Sequence, residues 1–313
     1  MNIFIMTLGS RGDVQPFVAL GKGLQEAGHE VTVCTSSSFE DFIREQGLNY
    51  GYMTNEILAL LDTDAGKDAL ENTTNLLEVA KTYMKLAQQA GPIQHEVMND
   101  SWAAAEAADP DLIIYHPKTY GGVHFAQKLD IPAMMVATVP MYVPTSEFHV
   151  MGFPNLPLGG GYNKWTYNLV ASLTEMGTGR YVKAWREKHN LPPKPKGMDF
   201  AHMADRTPVP ILHCYSRYIV PPPADWPANA ITTGTWFLEH EDNWQPSPEL
   251  EAFLAAGDPP VYVGFGSMSG RDPQRMAKIV VEALQQADVR GIIATGWGGL
   301  QADDLPETIF KLD

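Results

Sequence analysis

A turn rich in glycine and charged residues follows the first apolar run of the chain. Ile3 to Leu8 is typical of a buried parallel strand, and Gly9-Ser10-Arg11-Gly12-Asp13 comes directly after it. Ligands of open α/β sheets bind beyond the carboxyl ends of the strands, and glycines let the main chain approach them closely. Asp13, beside Arg11 on this turn, is therefore a candidate general base. An aspartate that only caps the next helix is an alternative of equal weight.

Two further glycine turns occur later in the chain. Gly264-Phe265-Gly266-Ser267-Met268 ends an apolar run, and we interpret it as a seat for a diphosphate, with the Ser267 hydroxyl as a hydrogen-bond donor. A tight turn needed only for packing is the alternative. In Thr295-Gly296-Trp297-Gly298-Gly299, the Trp297 ring could stack on a nucleotide base, although the residue taken alone is more typical of packing.

His116 directly follows the apolar run from Asp111 to Tyr115, so we expect it at the same edge of the sheet as Asp13. It is a candidate for orienting a substrate, and a capping or packing histidine is the favoured alternative. Asp62-Thr63-Asp64 has the spacing of a metal-binding D-x-D motif. It lies in an acidic stretch that is predicted to be helical, and we interpret it as solvated surface. We predict no metal site.

The spacing of the apolar residues predicts the elements that carry these turns. Over the first 50 residues, apolar runs alternate with helical patterns, which predicts a parallel sheet with right-handed crossovers. Further buried strands are predicted at 111–115, 133–138 and 210–215, and a helix at 165–189. The Pro- and Gly-rich stretch 140–161 is predicted to be an extended loop.

The strand, glycine turn and helix pattern returns after a proline-rich stretch. Strands are predicted at 260–265 and 291–295, with a helix at 272–286 between them. We therefore predict a first Rossmann-like domain over 1–235, a linker over 236–258 and a second parallel-sheet domain that begins at 259. Few strands follow before residue 313, so this second domain is predicted to be incomplete.

Composition narrows the range of partners. The 313 residues include 22 Lys and Arg against 37 Asp and Glu, a net charge of −15, which argues against nucleic acid and weakly against anionic membranes. Cys34 and Cys214 are interpreted as packing residues. The longest apolar runs fall short of the ~20 residues that span a bilayer, and the chain opens on a strand without a leader. We predict a soluble cytoplasmic protein.

A nicotinamide-dependent dehydrogenase does not fit the first turn. The glycine spacing differs from G-x-G-x-x-G, and Asp13 stands where a pyrophosphate should bind. Cys34 and Thr35 end the second strand, where those enzymes carry an acidic residue that binds the ribose.

Several motifs, in their order along the chain, resemble one enzyme family. Gly-Ser-Arg-Gly-Asp-Val-Gln-Pro at 9–16 resembles the opening of sterol glucosyltransferases and of the bacterial transferases that modify glycopeptides and macrolides. The runs at 140–148, 163–167 and 264–268 are similar to the sterol branch in particular. The resemblance spans the whole chain. It implies an α/β protein of the GT-B fold, with two Rossmann-like domains.

The resemblance also implies a metal-independent, inverting transfer of a hexose, above all glucose, with a nucleotide diphosphate sugar such as UDP-glucose as co-substrate and no cofactor. Asp13 matches the family's proposed catalytic base, and His116 is the second candidate. Ser10, Arg11 and Gly12 match the donor contacts of the first domain. The matching donor contacts of the second domain are Gly266, Ser267, Thr295, Gly296 and Trp297.

The predicted acceptor is the hydroxyl of a lipophilic small molecule such as a sterol. Such an acceptor gains affinity from an apolar pocket, for which the candidates are Met134, Met135, Met141, Tyr142 and Phe148. The family's His- and Gly-rich donor signature lies beyond the position of Asp313. The alternative is therefore a catalytically silent acceptor-binding fragment, or half of a split enzyme that a second chain completes.

Overall fold

Parallel strands form the sheet of the first of two units. The computed structural model describes residues 1–56, 76–239, 245–266, 272–296, 300 and 305–312. The chain divides into Met1–Leu238 and Glu239–Asp313. The strands of the first unit are β1 (Asn2–Met6), β2 (Glu30–Ser36), β3 (Asn49–Met53), β4 (Leu112–Tyr115), β5 (Ala133–Ala137), β6 (Ile211–His213) and β7 (Ala230–Thr232). Their order across the sheet is β3-β2-β1-β4-β5-β6-β7.

Helices cover this sheet. They are α1 (Arg11–Glu26), α2 (Glu40–Glu45), α3 (Leu76–Ala108), α4 (Gly122–Leu129) and α5 (Gly159–Lys188). Every neighbouring pair of strands described in the sheet runs parallel, and parallel neighbours require crossover connections. The predicted α/β class is confirmed.

Strand β1 lies inside the sheet because its side chains are apolar on both faces. Phe4, Ile5 and Met6 are fully buried, as in a strand that helices cover on both sides. Phe4 and Met6 belong to one core with Trp102, whereas Ile5 belongs to another core with Phe17 of α1. Successive side chains point to opposite faces, so one apolar run supplies both cores.

The second unit has its own parallel sheet. Its strands β8 (Val261–Gly264), β9 (Gly291–Ala294) and β10 (Ile309–Leu312) pair in the order β10-β9-β8. Its helices are α6 (Pro248–Ala255) and α7 (Pro273–Gln286). The buried side chains that pack between sheet and helix are Ala277, Leu284, Ile293, Leu300 and Ile309.

Some elements differ from those predicted. Strands β7 and β10 were not predicted, since runs of three and four residues are too short to show a period. Helix α6 lies in the stretch 236–258, which is predicted from sequence to be a linker. It begins after Ser247, whose hydroxyl accepts the Leu250 N–H at 3.2 Å, an N-cap of the usual kind.

Neither cysteine forms a disulfide. Cys34 and Cys214 are both buried and unpaired, and burial raises the pKa of the Cys34 thiol, so that it stays protonated. Of the helices described here, none combines the length and the apolar character that a membrane crossing requires.

Candidate active site

Asp13 is the third residue of helix α1. The helix begins at Arg11 with Ser10 as its N-cap, so the alternative in which Asp13 is itself the cap is wrong. Instead, Asp13 Oδ2 accepts the backbone N–H of Ser10 at 3.0 Å, as the acidic member of a capping box does. This bond holds the carboxylate against the turn and leaves Oδ1 for other partners.

Gly9 makes room for this carboxylate. Its φ is +141°, and a Cβ atom there would lie 2.0 Å from Asp13 Oδ2. From sequence, the glycines of this turn are expected to let a ligand approach the main chain. The structure gives Gly9 a more direct purpose, since any side chain at position 9 would displace the candidate base.

Two side chains from neighbouring strands converge on Asp13 Oδ1. Lys118 Nζ lies 2.8 Å away, and Thr138 Oγ1 donates a hydrogen bond at 3.3 Å. Lys118 comes shortly after β4 and Thr138 directly after β5, and these strands follow β1 in the sheet order. The carboxyl ends of three adjacent strands therefore meet at one carboxylate, as expected for this kind of sheet. Sequence reasoning missed both residues, although Thr138 ends one predicted strand and Lys118 lies three residues past another.

His116 is fully buried behind Asp13. Its Nδ1 accepts the backbone N–H of Lys118 at 3.2 Å, so the proton of the neutral ring is on Nε2. Nε2 lies 3.4 Å from Thr138 Oγ1 and 3.9 Å from Asp13 Oδ1. The ring therefore caps its own turn, and the Thr138 hydroxyl links it to the carboxylate.

The electrostatic environment fixes the charge of both groups. Burial alone would raise the pKa of Asp13, but the Lys118 ammonium and the hydrogen bonds from Lys118 and Ser10 lower it below the ordinary value. Burial, aided by Lys118, lowers the pKa of His116 to about 3. At neutral pH the site therefore holds an ionised carboxylate, of which 15% of the side-chain surface is exposed, in front of a neutral imidazole.

Arg11 does not share this site. Its Nε donates to Gln15 Oε1 at 2.9 Å, and its guanidinium lies 4.6 Å from the centre of the Phe42 ring. Side chains two residues apart face different sides of a helix, so the expectation that Arg11 lies beside Asp13 is wrong. Lys118 is the cation at the carboxylate. Of the other predicted donor contacts on this turn, Ser10 is half-buried and Gly12 is exposed.

The acceptor candidates do not lie together in the first unit. Tyr142 reaches the site, since its ring centre is 5.6 Å from that of His116 at an interplanar angle of 89°. Met134 packs in the core that contains α1, and Met135 is buried in the opposite core. Met141 and Phe148 pack together in a separate small cluster.

Two predicted donor contacts of the second unit, Gly266 and Gly296, lie just past neighbouring strands. Gly266 and Gly296 have φ of +59° and +55°, and a Cβ atom on Gly296 would lie 2.3 Å from the carbonyl oxygen of Gly266. The turns after β8 and β9 thus touch through their backbones. Thr295 donates its N–H to the Leu312 carbonyl at 3.0 Å. Ser267, Trp297 and the Asp62-Thr63-Asp64 motif lie outside the described residues.

Comparison with known proteins identifies relatives of this chain. Residues 3–146 match the N-terminal domain of glycosyltransferase family 28. A sterol 3-beta-glucosyltransferase of Arabidopsis thaliana is 34% identical over 303 residues, which are 96% of this chain and 46% of the relative. One of Aspergillus clavatus is 32% identical over 326 residues, covering 100% of this chain and 22% of the relative. The chain thus spans less than half the length of these curated relatives.

Solved structures share the fold. The glycosyltransferase of kitacinnamycin is 19% identical with a TM-score of 0.61, and the match covers 99% of this chain and 70% of that one. The Streptomyces glycosyltransferase SsfS6, solved with thymidine diphosphate, is 18% identical with a TM-score of 0.56, covering 99% of this chain and 71% of that one. At these identities the likeness establishes the architecture, and it confirms the predicted GT-B fold.

Proposed function

Since the chain belongs to the GT-B glycosyltransferases, in the family that includes the sterol glucosyltransferases, we propose that it transfers a hexose from a nucleotide diphosphate sugar to a hydroxyl of a sterol-like acceptor. The donor proposed is UDP-glucose, without a metal ion or cofactor, and the proposed compartment is the cytoplasm. We also keep the division into an acceptor-binding domain over 1–235 and the start of a donor-binding domain from 259.

The observation that carries this proposal is the carboxylate of Asp13. It is ionised, it is fixed by Ser10, Lys118 and Thr138, and part of its surface remains accessible. A general base needs this combination, because it must touch the acceptor hydroxyl and hold no proton beforehand. His116 is fully buried and neutral, so we propose that it positions Thr138 and Asp13 and does not touch the acceptor.

The proposed reaction is one displacement at the anomeric carbon. The acceptor oxygen forms its bond to C1 while its proton passes to Asp13, and the bond from C1 to the diphosphate oxygen breaks with its electron pair on the leaving nucleotide. Attack opposite the leaving group inverts the anomeric centre. Backbone N–H groups of glycine turns are suited to stabilising the charge that develops on a leaving diphosphate, and Gly266, Ser267, Thr295, Gly296 and Trp297 remain the proposed contacts.

The proposal is tested by incubating the 313-residue chain with UDP-glucose and cholesterol and analysing the product by mass spectrometry and NMR. We expect a β-linked glucoside from the parent chain and none from Asp13→Asn. Sterol binding without any transfer would instead support the acceptor-binding fragment or split-enzyme alternative. Neither binding nor transfer would contradict the proposed acceptor class.

A further inference from the structure

Asp225 ties together three parts of the first unit. Its Oδ1 accepts the hydroxyl of Thr145 at 2.6 Å, and its Oδ2 accepts the backbone N–H of Ser146 at 2.9 Å. Lys164 Nζ of helix α5 lies 2.9 Å from the same Oδ2. One carboxylate thus joins the turn that carries it, the loop 140–148 and the start of α5. We call the loop 140–148 the acceptor segment.

Other bonds join the same elements. Glu147 Oε1 accepts the backbone N–H of Ala224 at 2.7 Å, and Asn163 Nδ2 donates to the Ser146 carbonyl at 2.8 Å. Trp226, which follows Asp225 in the chain, stacks on the ring of His213 at the end of β6. The ring centres are 4.3 Å apart and the interplanar angle is 14°. The turn that carries Asp225 is therefore anchored to the sheet and can in turn hold the acceptor segment.

The acceptor segment leads directly to the candidate base. It begins two residues after Thr138, which donates to Asp13, and it carries Tyr142. The Tyr142 ring lies between two others, 5.6 Å from that of His116 and 6.1 Å from that of Phe200. A shift of the acceptor segment would therefore move the Tyr142 ring relative to His116 and Asp13. Asp225 itself is bonded to residues farther along the loop, at Thr145 and Ser146.

We propose that Asp225 is a positioning residue that fixes the acceptor segment, and thereby sets the affinity of the site for the sterol-like acceptor. This inference rests on the proposed function. Asp225 touches no reacting atom in the proposed reaction, so its effect should be on the binding of the acceptor and not on the binding of the nucleotide sugar.

The chemistry of the anchor supports this role. The bonds from Thr145, Lys164 and Ser146 lower the pKa of Asp225 below its ordinary value, so the carboxylate remains ionised at neutral pH. Thr145 is fully buried, and its oxygen also accepts the Glu147 N–H at 3.1 Å. Two consecutive amides of the acceptor segment therefore depend on this one pair of side chains.

The first experiment measures the anchor without reference to any ligand. Hydrogen exchange is followed in the 313-residue chain and in Asp225→Ala, Asp225→Asn and Asp205→Ala. Asp205 is a matched control, because it is an exposed aspartate that accepts the Thr207 N–H within its own turn. We expect exchange of the Ser146 and Glu147 amides to accelerate about tenfold in Asp225→Ala, the effect of losing one charged acceptor.

Two comparisons sharpen this measurement. The Val150 amide, which donates to Thr166 Oγ1 at 3.0 Å, should keep its protection, since its partner is unchanged. Asp225→Asn retains one carbonyl oxygen as an acceptor and should give an intermediate rate. Unchanged exchange at Ser146 and Glu147 in Asp225→Ala would overturn the anchor. A uniform acceleration that includes Val150 would show general loosening and would also count against it.

The second experiment uses dehydroergosterol as a fluorescent sterol probe and UDP-glucose in separate titrations. In Asp225→Ala we expect the dissociation constant for the sterol to rise about tenfold, with that for UDP-glucose within about twofold of the parent. Unchanged sterol affinity, or equal loss for both ligands, would overturn the positioning role. A parent chain that binds no sterol would contradict the proposed function and the acceptor role together, while the exchange result would still decide whether the anchor exists.

Discussion

The first turn of each unit follows a strand and precedes a helix, but the two turns are stabilised differently. After β1, helix α1 is capped through Ser10 and Asp13, and the Asp13 carboxylate is bonded to side chains that follow two other strands. Before α7, Asp272 caps the helix with its own side chain, accepting the Arg275 N–H at 2.9 Å. The described part of the turn after β8 contacts the turn after β9 through backbone atoms of Gly266 and Gly296.

This difference separates two kinds of chemistry. A side-chain carboxylate that is fixed by several partners is suited to taking a proton, whereas exposed glycine backbone is suited to close contact with a phosphate. The same strand, turn and helix unit thus supports a base in the first unit and, by our proposal, an anion contact in the second.

The largest effect is expected from removing the charge at the first turn. Asp13→Asn should lower kcat/KM for transfer by about 10²–10⁴-fold, the usual result of losing a general base. The folded state should change little, because asparagine keeps an oxygen that can accept the Ser10 N–H. Transfer kinetics and thermal unfolding of both proteins provide the check. Turnover within about threefold of the parent would show that Asp13 serves only the helix.

Gly9→Ala should displace the Asp13 carboxylate while leaving the aspartate itself in place. The new methyl group would overlap Asp13 Oδ2, and displacing a catalytic group by about 1 Å can reduce the rate on the order of 10²-fold. Gly28→Ala is the control, since Gly28 also has a positive φ, +87°, but nothing lies within 4 Å of the added Cβ. The control should lose about 1 kcal/mol of stability and keep its activity when folded. Equal activity of the two folded variants would contradict this account of Gly9.

Lys118→Met should change the pH dependence of the reaction. Without the ammonium, burial of Asp13 is less well opposed and its pKa rises, so the acid limb of kcat/KM should move to higher pH. The stability that comes from the depressed pKa is present above the unfolded value of about 3.9 and is lost as pH falls through the folded value, and the variant should lose this contribution. Lys183→Met, at a side chain that is 74% exposed, is the control. An identical pH profile for both variants would exclude a role for Lys118 at Asp13.

The contrast between the turns also shows what the sequence could predict. The strand before Asp13, the turn and the helix are local, and their pattern predicts them together. Lys118 and Thr138 lie 105 and 125 residues away in the chain, and only the order of strands in the sheet brings them to Asp13. Their residue types are too common to attract notice without that order.

Errors near the site have equally local causes. The prediction placed Arg11 beside Asp13 because the two are close in sequence, but the helix begins at Arg11 and turns its side chain to the opposite side. The acceptor candidates are apolar residues of the predicted strand 133–138 and of the loop that follows it. Only the alternation of the strand decides that Met134 and Met135 belong to different cores.

The smallest effect is expected in the second unit, where Gly266→Ala and Gly296→Ala separate packing from binding. Both glycines have positive φ, so alanine should cost each about 1 kcal/mol. Gly296 carries a further penalty, because its Cβ would meet the Gly266 carbonyl, whereas nothing lies within 4 Å of a Cβ on Gly266. Hydrogen exchange of the Ile292 and Ile293 amides in β9 should therefore accelerate more in Gly296→Ala.

If Gly266 also contacts a diphosphate, the methyl group added in Gly266→Ala should weaken UDP-glucose binding by about threefold, roughly 0.7 kcal/mol, while the β9 amides stay protected. Unchanged UDP-glucose affinity in Gly266→Ala would leave packing as the role of this turn and would remove Gly266 from the proposed donor contacts.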